Sequence, residues 1–289
     1  MPDPWTVLKI LEWTTGYFRD KGIDNPRLDA ELLLADLLEI GRLELYLRFD
    51  QPLNAGELTA FRSRVARRAE REPLQYILGE AEFWSLPLKV TPQVLVPRAD
   101  TEVLVEEALK KFDSTGRVLD VGTGSGAVAI ALASEKDQAR VEAVDICDEA
   151  LSIAHDNTVR HGLEGRIRLR KEDLAALCGK GCYELIVSNP PYIPEGDFAG
   201  LMPEVRDFEP RQALDGGNDG LDFYRALVCQ APALLADRGW LLVEVGYGQA
   251  EAVSEMFAAA GLTEIFVRDD YSGTPRVVGG RLEGPVDLD

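Results

Sequence analysis

The feature that most constrains this chain is an alternation of predicted strands and helices that begins near residue 100. Helical stretches follow each of the first several strands, which is the pattern of a parallel sheet covered by helices on both faces. We therefore predict an α/β fold with a doubly wound, mostly parallel, seven-stranded sheet, and we expect ligands at the carboxyl ends of its strands. The predicted strands are residues 117–121, 141–145, 167–170, 185–188, 240–245, 264–267 and 276–279.

Residues 1–72 have a different pattern, in which apolar residues recur at helical spacing over 7–14 and 29–40. A third helix is predicted over 54–72, because Asn54 can cap it and Glu57 follows three positions later. We predict a smaller, all-helical N-terminal domain here. Because it has no group of titratable residues that suggests chemistry, we expect it to recognise the substrate or to support the α/β domain.

Residues 73–98 change character again. They are rich in β-forming residues interrupted by prolines, which predicts a hairpin rather than a long strand. We expect this hairpin to join the helical domain to an α/β domain over residues 99–289. The β-forming stretches are 76–78, 83–84 and 89–96.

The chain of 289 residues is acidic, with 31 Lys and Arg against 50 Asp and Glu and a formal net charge of −19. Such a charge repels phosphate backbones at long range, which argues against non-specific nucleic-acid binding. No apolar run approaches the roughly 18 residues that span a bilayer, and the first residues lack the pattern of a signal peptide. We therefore expect a soluble, cytoplasmic protein with no membrane or direct nucleic-acid partner.

Five arginines depart locally from this acidic balance, and two interpretations of them are open. They form either a patch that meets an acidic partner or RNA, or a solvated helix face that pairs with Glu70, Glu72 and the acidic α/β domain. The second is favoured, because charge runs usually face solvent. The five are Arg62, Arg64, Arg67, Arg68 and Arg71.

A metal site is not expected. Four cysteines are present, and the closest pair, Cys178 and Cys182, has no nearby third Cys or His to complete a zinc site.

A glycine-rich loop follows the first predicted strand of the α/β domain. It consists of Gly122, Thr123, Gly124, Ser125 and Gly126, and it opens an alanine-rich helix. Glycines permit a tight turn and close approach of the backbone to a ligand, while the helix N-terminus points at that ligand. The loop therefore predicts a nucleotide-type cofactor.

Two carboxylates narrow the choice of cofactor. Asp145 ends the second strand, 23 residues after Gly122, where it can accept both hydroxyls of a ribose. Gly122, Gly124 and Ala127 also satisfy the dinucleotide pattern G-x-G-x-x-G/A, so an NAD enzyme is an alternative on this motif alone. Asp120 lies two residues before the first glycine. A carboxylate there is unfavourable beside a pyrophosphate but suits the ammonium of an amino-acid ligand such as S-adenosylmethionine.

At the end of the fourth predicted strand of this domain lie Ser188, Asn189, Pro190, Pro191 and Tyr192. In a doubly wound sheet this strand lies beside the first one, so Asn189 is expected next to the bound cofactor. The prolines fix φ and lack an N–H, so the carbonyls near them are held in one direction. The carboxamide oxygen of Asn189 and the carbonyl of Pro190 then offer two acceptors to a planar –NH2 group, with Tyr192 as an aromatic wall beside it.

Together the glycine loop and the proline motif resemble the class I S-adenosylmethionine-dependent methyltransferases that modify planar nitrogens. Three further segments resemble the peptide chain release factor glutamine methyltransferases, namely PLQYILG at 73–79, VLVPRADTE at 94–102 and DGGNDGLDFYR at 215–225. The likeness spans essentially the whole chain. It departs from the family at Ala99 and Asp100, where the family usually has Pro-Glu, so the carboxylate is retained but is one methylene shorter.

The resemblance implies a Rossmann-like fold and methylation of the side-chain amide nitrogen, N5, of the glutamine in the Gly-Gly-Gln motif of bacterial class 1 release factors. S-adenosylmethionine would be the methyl donor and S-adenosylhomocysteine the product, without a metal. The resemblance also implies that the glycine loop and Asp145 hold the cofactor, together with Asp173 and Leu174 after the third strand. Residues 189–192 would hold the glutamine.

In this interpretation the methyl group moves by in-line displacement, and positioning and electrostatics carry the catalysis without a dedicated general base. Three alternatives are open. An N6-adenine methyltransferase acting on DNA or RNA is disfavoured by the acidic charge. An NAD-dependent oxidoreductase leaves residues 189–192 unexplained, and a non-catalytic cofactor-binding module would bind S-adenosylmethionine without turnover.

Overall fold

A computed structural model describes residues 4–113, 115–177 and 181–284. The chain divides into two compact units, which we call the helical unit and the catalytic unit. The helical unit is Met1–Gly79 with Met202–Phe208, and the catalytic unit is Glu80–Leu201 with Glu209–Asp289. The first break therefore falls after Gly79, later than the boundary predicted at residue 72.

The elements are named in chain order. The helices are α1 (Val7–Asp20), α2 (Pro26–Leu37), α3 (Arg42–Leu47), α4 (Ala55–Ala69), α5 (Leu74–Leu78), α6 (Glu102–Lys111), α7 (Ala127–Glu135), α8 (Asp148–Arg160), α9 (Pro203–Phe208), α10 (Asp222–Leu234) and α11 (Ala250–Ala259). The strands are β1 (Glu80–Phe83), β2 (Leu86–Lys89), β3 (Gly116–Val121), β4 (Ala139–Asp145), β5 (Ile167–Lys171), β6 (Tyr183–Ser188), β7 (Leu235–Glu244), β8 (Leu262–Asp269) and β9 (Pro275–Leu282).

Helices α1 to α5 and α9 form the helical unit around one apolar core that includes Phe18, Leu33 and Phe61. The capping signal predicted for α4 is confirmed. Asn54 accepts a hydrogen bond from the Glu57 N–H at 2.9 Å, and Glu57 accepts one from the Asn54 N–H at 2.8 Å. These reciprocal bonds satisfy donors that a helix N-terminus otherwise leaves unpaired.

The arginines of α4 and its C-terminal end are mostly ion-paired within the helical unit. Arg64 pairs with Asp36 and Arg67 with Glu72, at 2.5 and 2.6 Å. Arg68 contacts both Asp29 and Glu204, and Arg71 contacts Glu204. The cluster is therefore largely neutralised by carboxylates, as in the second of the two interpretations above, although most of the partners are not the ones named there.

The catalytic unit is built on a seven-stranded sheet in the order β5-β4-β3-β6-β7-β9-β8. The five strands β3 to β7 pair in parallel, and β9 pairs antiparallel with both β7 and β8. One apolar cluster lies under α6 and α7 and another under α10 and α11, so both faces are covered. The predicted doubly wound, mostly parallel fold is confirmed. In the described part of the chain, no helix is both long and apolar enough to cross a membrane.

The prediction for residues 73–98 is partly wrong. Residues 76–78 belong to helix α5 and not to a strand. The helix buries Tyr76 and Ile77 and ends at Gly79, whose φ is +77°. Trp84 and Ser85, both with positive φ, turn the chain between β1 and β2, so a hairpin does form. Only residue 89 of the stretch 89–96 lies in a strand, since Pro92 has no N–H to donate to a ladder.

Candidate active site

A cavity of about 570 Å³ opens at the carboxyl ends of the strands of the catalytic unit. This volume is typical of small-molecule sites, which range over roughly 300–1,000 Å³. Strands β3, β4 and β6 are neighbours in the sheet, so the residues that follow them meet at one edge. Ten of the predicted site residues line this cavity: Asp120, Gly122, Thr123, Gly124, Ser125, Asp145, Asp173, Leu174, Asn189 and Pro191.

The glycine loop is shaped by its backbone. Gly122, Gly124 and Gly126 have φ values of +74°, +55° and +83°, a region that residues with a Cβ enter only at a cost. The N–H groups of Gly122 and Thr123 both donate to the carbonyl of Val144, at 2.9 and 3.0 Å. The loop is therefore tied to the neighbouring strand β4 while its inner surface faces the cavity.

Asp145 connects the glycine loop to the start of the segment that follows strand β4. Its Oδ2 accepts from the Gly124 N–H at 2.9 Å, and its Oδ1 accepts from the Cys147 N–H at 3.0 Å. A carboxylate oxygen has two lone pairs, so each oxygen keeps capacity for one further donor. Asp145 can thus hold the loop in place and accept hydroxyl groups from a ligand at the same time.

Asp120 is almost completely buried at the base of the cavity. Its Oδ2 accepts from the Thr123 hydroxyl at 2.7 Å. Burial disfavours the charged form and raises the pKa of Asp120 to about 6, while the bond from Thr123 opposes that shift. A carboxylate held in this way stabilises a cationic ligand group, because the ligand charge compensates for lost water.

Asp173 and Leu174 follow strand β5. The Asp173 side chain accepts from the Ala175 N–H at 2.9 Å and so caps a short 3-10 helix, Leu174–Ala176. Leu174 is buried and lines the cavity with Ile146. This end of the cavity therefore offers apolar surface of the kind that a purine ring covers.

Asn189 follows β6 on the opposite side of the cavity. Its Nδ2 donates to the Thr101 hydroxyl at 3.0 Å, and that hydroxyl donates to Glu244 Oε2 at 2.6 Å. No hydrogen bond joins Asn189 Oδ1 to another of the described residues. The Asn189 amide therefore has one end bound to the protein and one oxygen available to a ligand.

Three predicted site residues do not line the cavity. Gly126 caps α7, and an added Cβ there would lie 3.2 Å from Ile130. Pro190 is buried. Tyr192 packs its ring against the apolar core, and its hydroxyl donates to Glu244 Oε1 at 3.3 Å. The role of Tyr192 as an aromatic wall beside the acceptor amide therefore stays a prediction.

The main chain after Asn189 is held by a second set of contacts. The Gln249 amide donates to the carbonyls of Tyr192 and Gly220 at 2.9 and 3.2 Å, and its oxygen accepts from the Gly246 N–H at 3.0 Å. Residue 193 also forms an isolated parallel bridge with Asp215. These contacts fix the direction in which the loop leaves the sheet.

Sequence reasoning missed Thr101, Glu244 and Gln249 as residues of this site. One signal for Glu244 was present, since it is a carboxylate at the carboxyl end of a strand whose preceding four residues are buried and apolar. Asp100, at which this sequence departs from the usual family pattern, is exposed. Its Oδ2 lies 3.4 Å from Arg276 Nη2.

The side chains that line the cavity fit S-adenosylmethionine. Asp120 matches the ammonium group of its methionine part, Asp145 matches the ribose diol, and Leu174 with Ile146 matches the adenine ring. Among the described residues, no group of three or more His, Cys, Asp or Glu side chains is arranged to hold a metal ion. Cys178 lies outside the described residues.

Solved structures with a similar fold are methyltransferases. They include a methyltransferase from Pyrococcus furiosus, with a TM-score of 0.51 and 19% identity over 68% of this chain and 89% of that one. Another is the hMettl16 catalytic domain in complex with an RNA hairpin, with a TM-score of 0.58 and 15% identity over 78% of this chain and 84% of that one. At these identities the likeness concerns the fold alone.

Sequence comparison is more specific. Residues 9–79 match the family model of the PrmC N-terminal domain, and residues 98–200 match that of the methyltransferase small domain. The release factor glutamine methyltransferase of Geobacter sulfurreducens is 52% identical over 97% of this chain and 98% of its own length. This chain belongs to the release factor glutamine methyltransferase family. A second member, from Chlorobaculum tepidum, is 40% identical over 94% of this chain and 96% of its own.

Proposed function

We propose that the protein transfers a methyl group from S-adenosylmethionine to the side-chain amide nitrogen of a glutamine in a peptide chain release factor, in the cytoplasm. The observation that carries this proposal is the carboxamide oxygen of Asn189, which has no hydrogen-bond partner among the described residues and lies beside a cavity whose lining side chains fit the cofactor. The names of the full-length relatives agree with it. S-adenosylhomocysteine is the expected product, and the chemistry uses no metal.

The acceptor nitrogen is a weak nucleophile, because its lone pair is delocalised into the amide carbonyl. Asn189 Oδ1 can accept one of its N–H bonds, which fixes the nitrogen and stabilises the positive charge that develops on it. Bound S-adenosylmethionine supplies an electrophilic methyl group on a sulfonium. The protein then contributes alignment of the acceptor amide in a partly closed cavity, and the proton leaves the nitrogen after transfer.

The glutamine expected as the acceptor is the one in the Gly-Gly-Gln motif, as the family resemblance implies. The test uses S-adenosylmethionine with a labelled methyl group, an intact bacterial class 1 release factor, and the same factor with the motif glutamine changed to alanine. Separate reactions contain DNA and RNA. We expect label only in the release factor that retains the motif glutamine. Label in adenine of either nucleic acid would support the N6-adenine alternative, and the absence of label from every reaction would support a non-catalytic module.

We further infer that the helical unit recognises the release factor. It has an apolar cavity of about 230 Å³ between α1 and α4, with Trp5, Trp13 and Arg62 among its lining residues. Trp13 is 53% exposed although it is large and apolar, and large exposed apolar side chains of this kind are common at binding sites. Thr14 also lines this cavity, and its hydroxyl has no hydrogen-bond partner in the part of the chain that the structure describes.

This inference is tested with Trp13→Ala and the matched control Leu47→Ala, since Leu47 is 85% exposed on the same unit but lies outside the cavity. We expect Trp13→Ala to raise the KM for intact release factor while the KM for a short Gly-Gly-Gln peptide stays unchanged. Equal effects of Trp13→Ala on protein and peptide would contradict a recognition role.

A further inference from the structure

Three side chains from distant parts of the catalytic unit form a continuous hydrogen-bonded chain that ends at the acceptor side of the cavity. Asn189 follows β6, Thr101 ends the 3-10 helix Ala99–Thr101, and Glu244 is the last residue of β7. The Asn189 Nδ2 to Thr101 Oγ1 distance is 3.0 Å, and the Thr101 Oγ1 to Glu244 Oε2 distance is 2.6 Å. Thr101 and Glu244 are 4% and 1% exposed, so water does not compete for these bonds.

The direction of the hydrogen bonds follows from counting protons. A threonine hydroxyl has one proton, and an ionised carboxylate can only accept. The Thr101 proton is therefore committed to Glu244, and only lone pairs of the Thr101 oxygen face Asn189. An asparagine amide has an oxygen end and an NH2 end of similar size, and its hydrogen-bond partners decide which way round it lies. Here the NH2 end must face Thr101, so the oxygen end is turned away from Thr101.

We infer that Thr101 and Glu244 are positioning residues, which set the orientation of the Asn189 amide so that its oxygen faces the nitrogen to be methylated. This inference rests on the proposed function. A reversed Asn189 amide would present N–H bonds to the N–H bonds of the substrate glutamine. That arrangement provides no acceptor for the substrate and places like partial charges together.

The surroundings of Glu244 make this arrangement sensitive to pH. Burial raises the pKa of Glu244 to about 7, while the Thr101 and Tyr192 hydroxyls and the charge of Arg276 oppose the rise. Asp100 adds a weaker repulsion. The Tyr224 hydroxyl donates to the Glu244 main-chain carbonyl at 2.9 Å, and Asp270 pairs with Arg276 at 3.0 Å.

Protonation of Glu244 changes the donor pattern. A protonated carboxyl can donate to Thr101, which frees the Thr101 proton to donate to Asn189 Oδ1 instead. The Asn189 amide then has no fixed orientation. Because the ionised form of Glu244 predominates above pH 7 or so, the single-turnover rate is expected to fall as the pH drops through about 7.

The activity arm of the test compares Thr101→Val, which removes the hydroxyl, with Thr101→Ser, which retains it. Single-turnover rates are measured with saturating S-adenosylmethionine. We expect Thr101→Val to lower the rate about tenfold, the size of one ordinary hydrogen bond, and Thr101→Ser to restore most of it. Thr158→Val is the matched control, since that hydroxyl is also buried and, among the described residues, bonds only to the Ala154 carbonyl, at 2.7 Å.

The pH arm uses Glu244→Gln, which keeps the shape of the side chain but cannot ionise. We expect its single-turnover rate to be low and independent of pH between about 6 and 8, whereas the wild-type rate rises over this range. Glu142→Gln is the control, because Glu142 is also a buried carboxylate but bonds to Tyr183, Arg117 and Arg170 instead. It should keep the pH profile of the wild type even if it is less stable.

A third arm does not depend on turnover. In ¹⁵N-labelled protein without substrate, the Asn189 side-chain NH2 signals, assigned by their loss in Asn189→Ala, should shift with a midpoint near pH 7 in the wild type and not in Glu244→Gln. If the wild type fails to methylate release factor but this titration is seen, the proposed function is wrong and the positioning contact stands. A folded Thr101→Val with a normal rate, or Asn189 signals that do not titrate, would overturn the inference.

Discussion

The two sides of the cavity are held in different ways. On the cofactor side, the glycine loop owes its shape to positive φ values and to main-chain bonds from Gly122 and Thr123 to Val144. On the acceptor side, the Asn189 amide owes its orientation to the side chains of Thr101 and Glu244. The shape of the glycine loop therefore rests mainly on main-chain geometry, whereas the orientation of the Asn189 amide depends on single side-chain atoms and on the charge of one carboxylate.

The largest expected effect is on the acceptor side. Asn189→Ala removes an acceptor for the substrate amide, and by analogy with the loss of an oxyanion-hole donor the single-turnover rate should fall about 10²- to 10³-fold. Affinity for S-adenosylmethionine, measured by calorimetry on the same preparation, should fall much less. A near-normal single-turnover rate in folded Asn189→Ala would remove this residue from the mechanism.

On the cofactor side, Asp145→Ala is expected to weaken S-adenosylmethionine binding by roughly 1.5–3 kcal/mol, the range for a hydrogen bond to a charged group. Part of this loss comes from the loop, because Asp145 also accepts from the Gly124 and Cys147 N–H groups. Calorimetry measures the affinity, and the thermal midpoint checks that the fold is retained. Unchanged affinity in a folded variant would contradict the assignment.

The sequence predicted the cofactor side better than the acceptor side, and the reason is physical. The glycine loop and Asp145 act through local turn geometry and strand order, both of which a pattern of residues encodes. Thr101 and Asn189 are 88 positions apart, and Thr101 and Glu244 are 143 apart, so their contact exists only after the sheet has formed. The contact of the Tyr192 hydroxyl with Glu244 was not predicted for the same reason, since the two residues are 52 positions apart.

The fold shows the same contrast. The alternating strands of the catalytic unit were predicted because each buried strand is a separate apolar run bounded by turn residues. Residues 76–78 were predicted to favour a strand because of their β-propensity, but they lie in helix α5, where Tyr76 and Ile77 are buried. Propensity in a segment this short is overridden by packing.

The comparison also predicts different pH midpoints for the two sides. Burial raises the pKa of Asp120 to about 6, below that of Glu244 at about 7. Since the ionised form of Asp120 binds the ammonium group, S-adenosylmethionine affinity should be full well above pH 6 and about tenfold weaker at pH 5. Asp120→Asn should bind weakly at both pH values. An affinity that does not change between pH 7 and pH 5 would show that Asp120 does not contact the cation.

The smallest effect expected is that of a methyl group in the glycine loop. Gly122→Ala places a Cβ at φ +74° in open space, so only backbone strain should matter, and this costs about 1 kcal/mol. The thermal midpoint should fall by about 2–4 °C. Gly165→Ala is the matched control, because an added Cβ there also meets nothing and its φ is not positive. Equal midpoints for the two variants would contradict the strain argument.

The central claim, that the side-chain nitrogen of a glutamine receives the methyl group, is tested most directly by labelling both atoms of the new bond. The protein is incubated with S-adenosylmethionine carrying a ¹³C-methyl group and with release factor whose glutamine side-chain amides carry ¹⁵N. NMR of the digested product should show a ¹³C-methyl signal split by a directly bonded ¹⁵N, in a peptide that contains the Gly-Gly-Gln motif. A ¹³C-methyl signal without that splitting, or its appearance in any other peptide, would contradict the account.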